Sequence, residues 1–375
     1  MSGSGSSSPD AAEATAGGSS GSSERPAAIA VSPILSARYR ERDLERIHAA
    51  APGARIVHVS LEGLADGDLS DVEAFLRGPM PAAVFDRVLA RCHRLTWVHS
   101  ATAGVERVLT PAARERGLTI TNARGVFSRP IAEYVLTMIL AISRRLPHLL
   151  ELQRERTWQP LEAVELRDVT IGIVGLGSIG GAVAELAVPF GCRILATRRR
   201  ASGGPGARAA REANAEPLAG EGEAGRDVQA APAERGIEVL PADRLPDLLT
   251  ASDFVVLALP LTPETEDLFD GQTLGRMKRT AWLINIARGA LVDERALARA
   301  LREGMIGGAV LDAFREEPLP SDSALYELPN LIITPHTAWS SGRVLDGSIE
   351  LFCTNLERFR RGEPLLNVVD PERGY

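Results

Sequence analysis

The chain has 375 residues, 45% of them hydrophobic and 24% charged, which excludes wholesale disorder and, at roughly 150 residues per domain, points to two or three domains. Forty-nine acidic against 42 basic side chains give a net charge of −7, which argues against a nucleic-acid binder. Cys92, Cys192 and Cys353 stand far apart with no CxxC and no Cys/His cluster, so neither a disulfide framework nor a metal site is expected, and a cytoplasmic location fits.

Residues 1–25, rich in Ser and Gly and without a large apolar residue beyond Met1, are expected to form a disordered tail. They have neither the apolar run of a secretory signal nor the early bases of a transit peptide. Strands are expected near Ala28–Val31, Arg55–Val59, Val72–Leu76, Leu95–His99 and Thr119–Thr121, then a helical segment at about 129–146. The longest apolar stretch, Ile131 to Leu150, carries Glu133, Arg144 and Arg145 and does not read as a membrane span. A second series of strands is expected at Val169–Val174, Arg193–Thr197, Ile237–Leu240, Asp253–Leu259, Trp282–Ile286, Ala309–Leu311 and Leu331–Ile333. Residues 201–235, whose only large apolar side chains are Leu218 and Val228, interrupt this series and read as a disordered insertion. Apolar strands alternating with helices indicate parallel sheets covered on both faces, and two such series indicate two doubly wound α/β domains.

The strongest local signal is Gly175-x-Gly177-x-x-Gly180, directly after an apolar strand and directly before a helix. The first glycine permits the tight turn, the second lets a pyrophosphate approach the backbone, and the third lets the helix pack on its strand. The free N–H groups and dipole of the helix start then favour the anion. About 20 residues further on, where an NAD site has an acid for the ribose 2′-hydroxyl, this chain has Arg198, Arg199 and Arg200, and no Asp or Glu lies between Glu185 and Glu212. A guanidinium pairs with a 2′-phosphate and cannot accept from a hydroxyl, so NADP(H) is favoured over NAD(H). The other reading of this run is a solvated basic stretch opening the insertion.

Three further segments suit 2-keto acid chemistry. Asn285-x-x-Arg288-Gly289 and Pro335-His336 each follow an apolar strand, where the carboxyl ends of a doubly wound sheet face the ligand crevice. Asp312-x-Phe-x-x-Glu317-Pro318 lies between them. His336 is the only histidine after His148. With Pro260-Leu-Thr262-Pro-Glu-Thr265, these segments occur in an order and spacing that resemble the D-isomer-specific 2-hydroxyacid dehydrogenase family, over roughly residues 28–370 apart from the insertion.

The resemblance implies a Rossmann cofactor domain at 128–340, interrupted at 201–235, and a flavodoxin-like substrate domain made of 26–127 and 341–375. It implies cofactor contacts from Gly175, Gly177, Ser178, Ile179, Gly180, Arg198, Arg199, Pro260, Thr265, Ile286 and Asp312, with Asp312 at the nicotinamide carboxamide. Arg288 is then the clamp on the substrate carboxylate, His336 the acid/base at the keto oxygen, and Glu317 the partner that favours protonated His336. Ala103 and Gly104, in Val98-His99-Ser100-Ala101-Thr102-Ala103-Gly104-Val105-Glu106, match the family's small pair facing the carboxylate. Thr102 stands where the family often has Gly, and Glu106 where it often has Asp; Thr102 either narrows the pocket or packs. His99 is expected to be structural, and Trp339 either lines the cleft mouth or packs. Asn122-Ala-Arg124-Gly125 and Pro130-Ile-Ala-Glu133-Tyr134 resemble the crossover between domains.

The activity implied is reduction of a small 2-keto acid, of the glyoxylate or hydroxypyruvate class, by a homodimer with no nucleic-acid or membrane partner. Glu317 stands where formate dehydrogenases of the superfamily carry Gln. Short-form phosphoglycerate dehydrogenases and dinucleotide-sensing corepressors that share the fold are the alternatives.

Overall fold

A computed structural model of the chain describes residues 26–34, 39–198 and 236–372. The tail 1–25, the insertion 201–235 and Arg199 lie outside them. The first lobe contains β1 (Ala28–Val31), α1 (Glu41–Ala50), β2 (Arg55–His58), β3 (Val72–Arg77), α2 (Ala82–Leu89), β4 (Trp97–Ser100), α3 (Pro111–Glu115) and β5 (Thr119–Asn122). Its sheet is parallel in the order β2-β1-β3-β4-β5. Two helices, α4 (Ser128–Ser143) and α5 (Leu146–Arg154), lead into the second lobe. This comprises β6 (Thr170–Val174), α6 (Ser178–Ala187), β7 (Arg193–Arg198), β8 (Ile237–Pro241), α7 (Leu245–Ala251), β9 (Phe254–Leu257), α8 (Gly271–Leu274), β10 (Trp282–Asn285), α9 (Glu294–Arg302), β11 (Gly308–Leu311) and β12 (Leu331–Ile333). Its parallel sheet runs β12-β11-β10-β9-β6-β7-β8. The order therefore reverses between β6 and β9, the switch point where doubly wound sheets open a crevice at their carboxyl ends.

The central strands are apolar because helices cover both faces: every residue of β1 and β9 is buried. All the expected strands form, with ends that shift by a few residues. Asp253 is left just outside β9 because its carboxylate accepts from the Thr170 amide and Lys278 Nζ, at 2.9 and 2.7 Å. The expected helix at 129–146 breaks at Arg145, which adopts left-handed φ of 57°, and α5 restarts with Pro147 in its first turn, where the missing N–H costs nothing. Among the described residues no helix is long and apolar enough to cross a membrane, and no cluster of three or more His, Cys, Asp or Glu could hold a metal.

The last helix, α10 (Val344–Arg361), returns to the first lobe. It packs on α1, with Asp346 paired to Arg40 and Phe352 stacked on Trp97 at 5.3 Å between centroids. Beyond it, Asn367 and Val369 bond to β5, Asn122 N donating to Asn367 O and Val369 N to Ile120 O.

His99 is wholly buried in this lobe between Trp97 and Phe352, with Nδ1 2.8 Å from Thr121 Oγ1. It is a core residue out of reach of a ligand, as expected. Burial pushes its pKa down to about 3, so the native state keeps the ring neutral. The unfolded chain binds a proton below the ordinary value near 6.5, so this contribution to stability is complete above that pH and is lost as pH falls toward 3. Between neutrality and about pH 5 the loss is about 2 kcal/mol. Urea unfolding of wild type and His99→Gln at both pH values should show that difference in wild type only; equal differences in the two proteins would remove His99 as the cause.

Candidate active site

The glycine turn lies at the switch point. Gly175 has φ of 104°, and a Cβ there would lie 2.7 Å from Ala258 O. A Cβ on Gly180 would lie 2.3 Å from Gly175 O and 2.9 Å from Ile173 Cγ2, so Gly180 is what lets α6 sit against β6. Gly177, at the N-cap of α6, faces open space. The amides of Ser178 and Ile179, at the exposed helix start, have no intrahelical acceptor. A turn with an open glycine, free amides and a positive helix end fits a pyrophosphate.

The amides of Gly175 and Leu176 both donate to Thr197 O, at 3.3 and 3.0 Å, which fastens the end of β7 to the turn and brings exposed Arg198 beside it. Across the crevice, after β9, Thr265 Oγ1 accepts from Thr262 N at 2.7 Å and contacts Pro260 O at 2.9 Å, bracing the Pro260–Thr265 turn. Ile286 is only 5% exposed and its side chain packs in the core beside the crevice strands.

Arg288 follows β10. Buried Asn285 braces its loop, donating from Nδ2 to Arg288 O at 2.9 Å and accepting from Ala287 N at 3.1 Å. The guanidinium bonds Ala287 O through Nη1 at 2.8 Å and reaches Glu106 of the first lobe through Nε and Nη2, at 3.1 and 3.4 Å. It presses on the backbone of Gly104: a Cβ there would lie 1.9 Å from Arg288 Nη2. Burial works to raise the Glu106 pKa, but the charge of Arg288, an amide bond and the Arg288 hydrogen bond outweigh it and hold the carboxyl below its usual range.

The loop under Arg288 is braced by hydrogen bonds. Arg77 pins both its ends, its carbonyl accepting from Ala101 N and its Nη2 donating to Arg107 O, each at 2.9 Å. Asn122 Nδ2 donates to Ala103 O and Thr102 Oγ1 to Gly104 O, both at 2.8 Å. Thr102 therefore braces the loop. Among the described residues the amides of Thr102, Ala103 and Gly104 bond no acceptor, which makes them donors for an anion.

The third element is the turn after β12. His336 has φ of 50°, rare for a residue with a side chain, and is 38% exposed. Its Nδ1 lies 2.8 and 3.0 Å from the two Glu317 oxygens, and the Phe314 amide holds Glu317 Oε1 at 2.9 Å. Nε2 has no bond among the described residues, so one imidazole nitrogen is fixed by the carboxylate and the other is available for proton transfer. Asp312, 1% exposed, accepts from Thr334 Oγ1 at 2.6 Å, Thr337 N at 2.8 Å and Ala338 N at 2.9 Å. It grips the His336 turn from both sides with three of its roughly four acceptor sites. Trp339 packs partly buried against the second-lobe core.

The structure thus brings Arg288 onto Gly104 and Glu106, and Glu317 onto His336. Gly289 joins the two arrangements, its Cα packed against Phe314 and Arg315 backbone. Sequence reasoning did not find Glu106 as the partner of Arg288, although its place two residues after Gly104 put it in reach. Nor did it find that Thr334 bonds Asp312 and that Tyr134 bonds Thr334.

The profile of the D-isomer-specific 2-hydroxyacid dehydrogenase NAD-binding domain matches residues 136–220 and 224–338. A glyoxylate reductase of Korarchaeum cryptofilum is 34% identical over 314 residues, 81% of this chain and 84% of its own length. A D-isomer-specific 2-hydroxyacid dehydrogenase of Xanthobacter autotrophicus, solved with NADPH and MES, superposes with a TM-score of 0.75 at 29% identity, covering 93% of this chain and 99% of its own. An NADPH-dependent glyoxylate/hydroxypyruvate reductase of Sinorhizobium meliloti, solved with NADP and sulfate, superposes with a TM-score of 0.73 at 25% identity, covering 93% of this chain and 100% of its own. The crevice at the switch point, the arginine on a cradle of free amides and the carboxylate-bound histidine agree with these matches: the chain belongs to the D-isomer-specific 2-hydroxyacid dehydrogenase family and is an NAD(P)-dependent oxidoreductase acting on CH–OH donors.

Proposed function

We propose that the protein is a cytoplasmic 2-keto acid reductase of the glyoxylate or hydroxypyruvate class with a preference for NADP(H). The observation that carries this is the Arg288 guanidinium lying against Gly104, in a loop where the amides of Thr102, Ala103 and Gly104 bond no acceptor among the described residues, a set of donors suited to a carboxylate. Arg288 and these amides hold the substrate carboxylate and orient the keto group. His336 Nε2 gives the keto oxygen its proton, and Glu317, bonded to Nδ1, fixes the orientation of the ring. The nicotinamide supplies the hydride when bound. Gly175, Gly177, Ser178, Ile179 and Gly180 would hold its pyrophosphate. Arg198, fastened beside the turn with no acid on its strand, would take the 2′-phosphate.

In this reading the first lobe with the returning α10 is the substrate domain, and the second lobe binds the dinucleotide. Exposed Leu146, Leu149 and Leu150 on α5, with fully exposed Trp158 beyond it, supply an apolar surface for a homodimer. The three unpaired cysteines support a reducing compartment.

The test is a panel of 2-keto acids assayed with NADPH and NADH. Turnover of glyoxylate or hydroxypyruvate with higher kcat/KM for NADPH is expected. A higher value with NADH would sink the cofactor preference, and tight dinucleotide binding with no turnover of any keto acid would favour a dinucleotide sensor. The two glycines give a sharper check on the cofactor site. Gly177→Ala meets open space, so it should leave the melting temperature of the free protein alone and weaken dinucleotide affinity by about tenfold or more, because the backbone no longer admits the pyrophosphate. Gly180→Ala should lower that melting temperature even without ligand, because its Cβ collides with Gly175 O. Thermal melts with and without NADPH separate the two; equal loss of stability in the free proteins would refute the assignment of Gly177.

A further inference from the structure

We infer that Tyr134 is a positioning residue for the proton donor, its hydroxyl tethering the turn that carries His336 to helix α4; this rests on the reductase reading above. Tyr134 Oη lies 2.6 Å from Thr334 Oγ1, which lies 2.6 Å from Asp312 Oδ1. Thr334 Oγ1 donates its single proton to Asp312 Oδ1, so in the contact between the two hydroxyls Tyr134 must donate to Thr334. Burial pushes the Tyr134 pKa up to about 12, the charge of Asp312 adding to it against the Thr334 bond, so the donor keeps its proton at any working pH.

The tether matters because of the backbone it stabilises. His336 sits in the left-handed region, which a side chain bearing Cβ leaves unless its surroundings hold it there. What holds it is Asp312, bound to Thr334 on one side and to the amides of Thr337 and Ala338 on the other. Without Tyr134 the Thr334 hydroxyl is free to rotate away from Asp312, and one side of the grip weakens. The anchor is well placed. Helix α4 begins where the chain passes from the first lobe to the second, and it packs along α6, whose N-terminus is the glycine turn. The hydroxyl chain thus ties the turn of the proton donor to the crossover helix, which itself packs on α6.

Tyr134→Phe keeps the ring packing and removes the donor. The amides of Thr337 and Ala338 should exchange with deuterium about five- to tenfold faster in this variant, the scale of one lost hydrogen bond. kcat should fall by a similar factor, with KM for the keto acid and affinity for the dinucleotide unchanged. Thr334→Ser should behave as wild type, Thr334→Val should reproduce the defect, and combining Thr334→Val with Tyr134→Phe should add little to either. Wild-type exchange at Thr337 and Ala338 in Tyr134→Phe would overturn the tether, and faster exchange with unaltered kcat would overturn its role in positioning. Exchange is measured without substrate, so a wild-type protein silent on every keto acid would count against the reductase reading while the exchange rates still decide the tether.

Discussion

His336→Asn should lower kcat by about 10²- to 10⁴-fold, the range for removing a general acid, while the fold persists. Asparagine is the informative replacement because it tolerates the positive φ at this position better than alanine, so the variant loses the proton donor without adding backbone strain. The ring is 38% exposed and among the described residues it hydrogen-bonds Glu317 alone, so little core packing is lost with it. Arg288→Ala should cost kcat/KM by a comparable factor, through the carboxylate clamp. Arg288→Lys should recover only part of it, because an ammonium cannot present the planar fork that now spans Glu106 and the Gly104 backbone. Steady-state kinetics with the best keto acid of the panel, next to thermal melts, checks both. Near-normal turnover in either alanine or asparagine variant, with the protein folded, would withdraw the role given to that residue.

Gly289→Ala should destabilise the protein by about 3 kcal/mol and impair catalysis as well. The added Cβ would lie 1.9 Å from the Phe314 carbonyl carbon and 2.2 Å from Arg315 N, both backbone atoms that cannot rotate aside. Moving them displaces the Phe314 amide that holds Glu317, and through Glu317 the histidine. Gly181→Ala is the matched control. It lies in α6 with nothing within 4 Å of the new Cβ, so the free protein should melt no lower than wild type. A melting temperature for Gly289→Ala equal to that of the control would show that the two loops do not depend on this contact.

The strands and the glycine turn could be read from the chain because they rest on local signals, apolar runs bounded by breakers and a glycine motif between strand and helix, whereas Arg288, Glu317 and His336 were singled out by the resemblance of their motifs to the family. The break at Arg145 was also local, signalled by Pro147, but the apolar run of Ile131 to Leu150 masked it. The partners were not legible. Glu106 meets Arg288 across 182 residues, and Tyr134 meets Thr334 across 200, pairings that only the placement of one lobe and one crossover helix creates. Asp312, buried and holding three donors, supports the histidine turn, which its motif did not announce. Ile286, just past the end of β10, packs in the core.

The return of α10 and of residues 367–369 to the first lobe has a consequence for synthesis. As the chain leaves the ribosome, the five strands of the first sheet emerge early, but the helix that covers Trp97 and the segment that bonds to β5 emerge last. The second lobe has all its strands before then. Domains generally complete in the order in which their residues appear. Here the order is inverted: the lobe begun first is finished second, and its apolar face at Trp97 stays uncovered for the whole interval in which its neighbour folds.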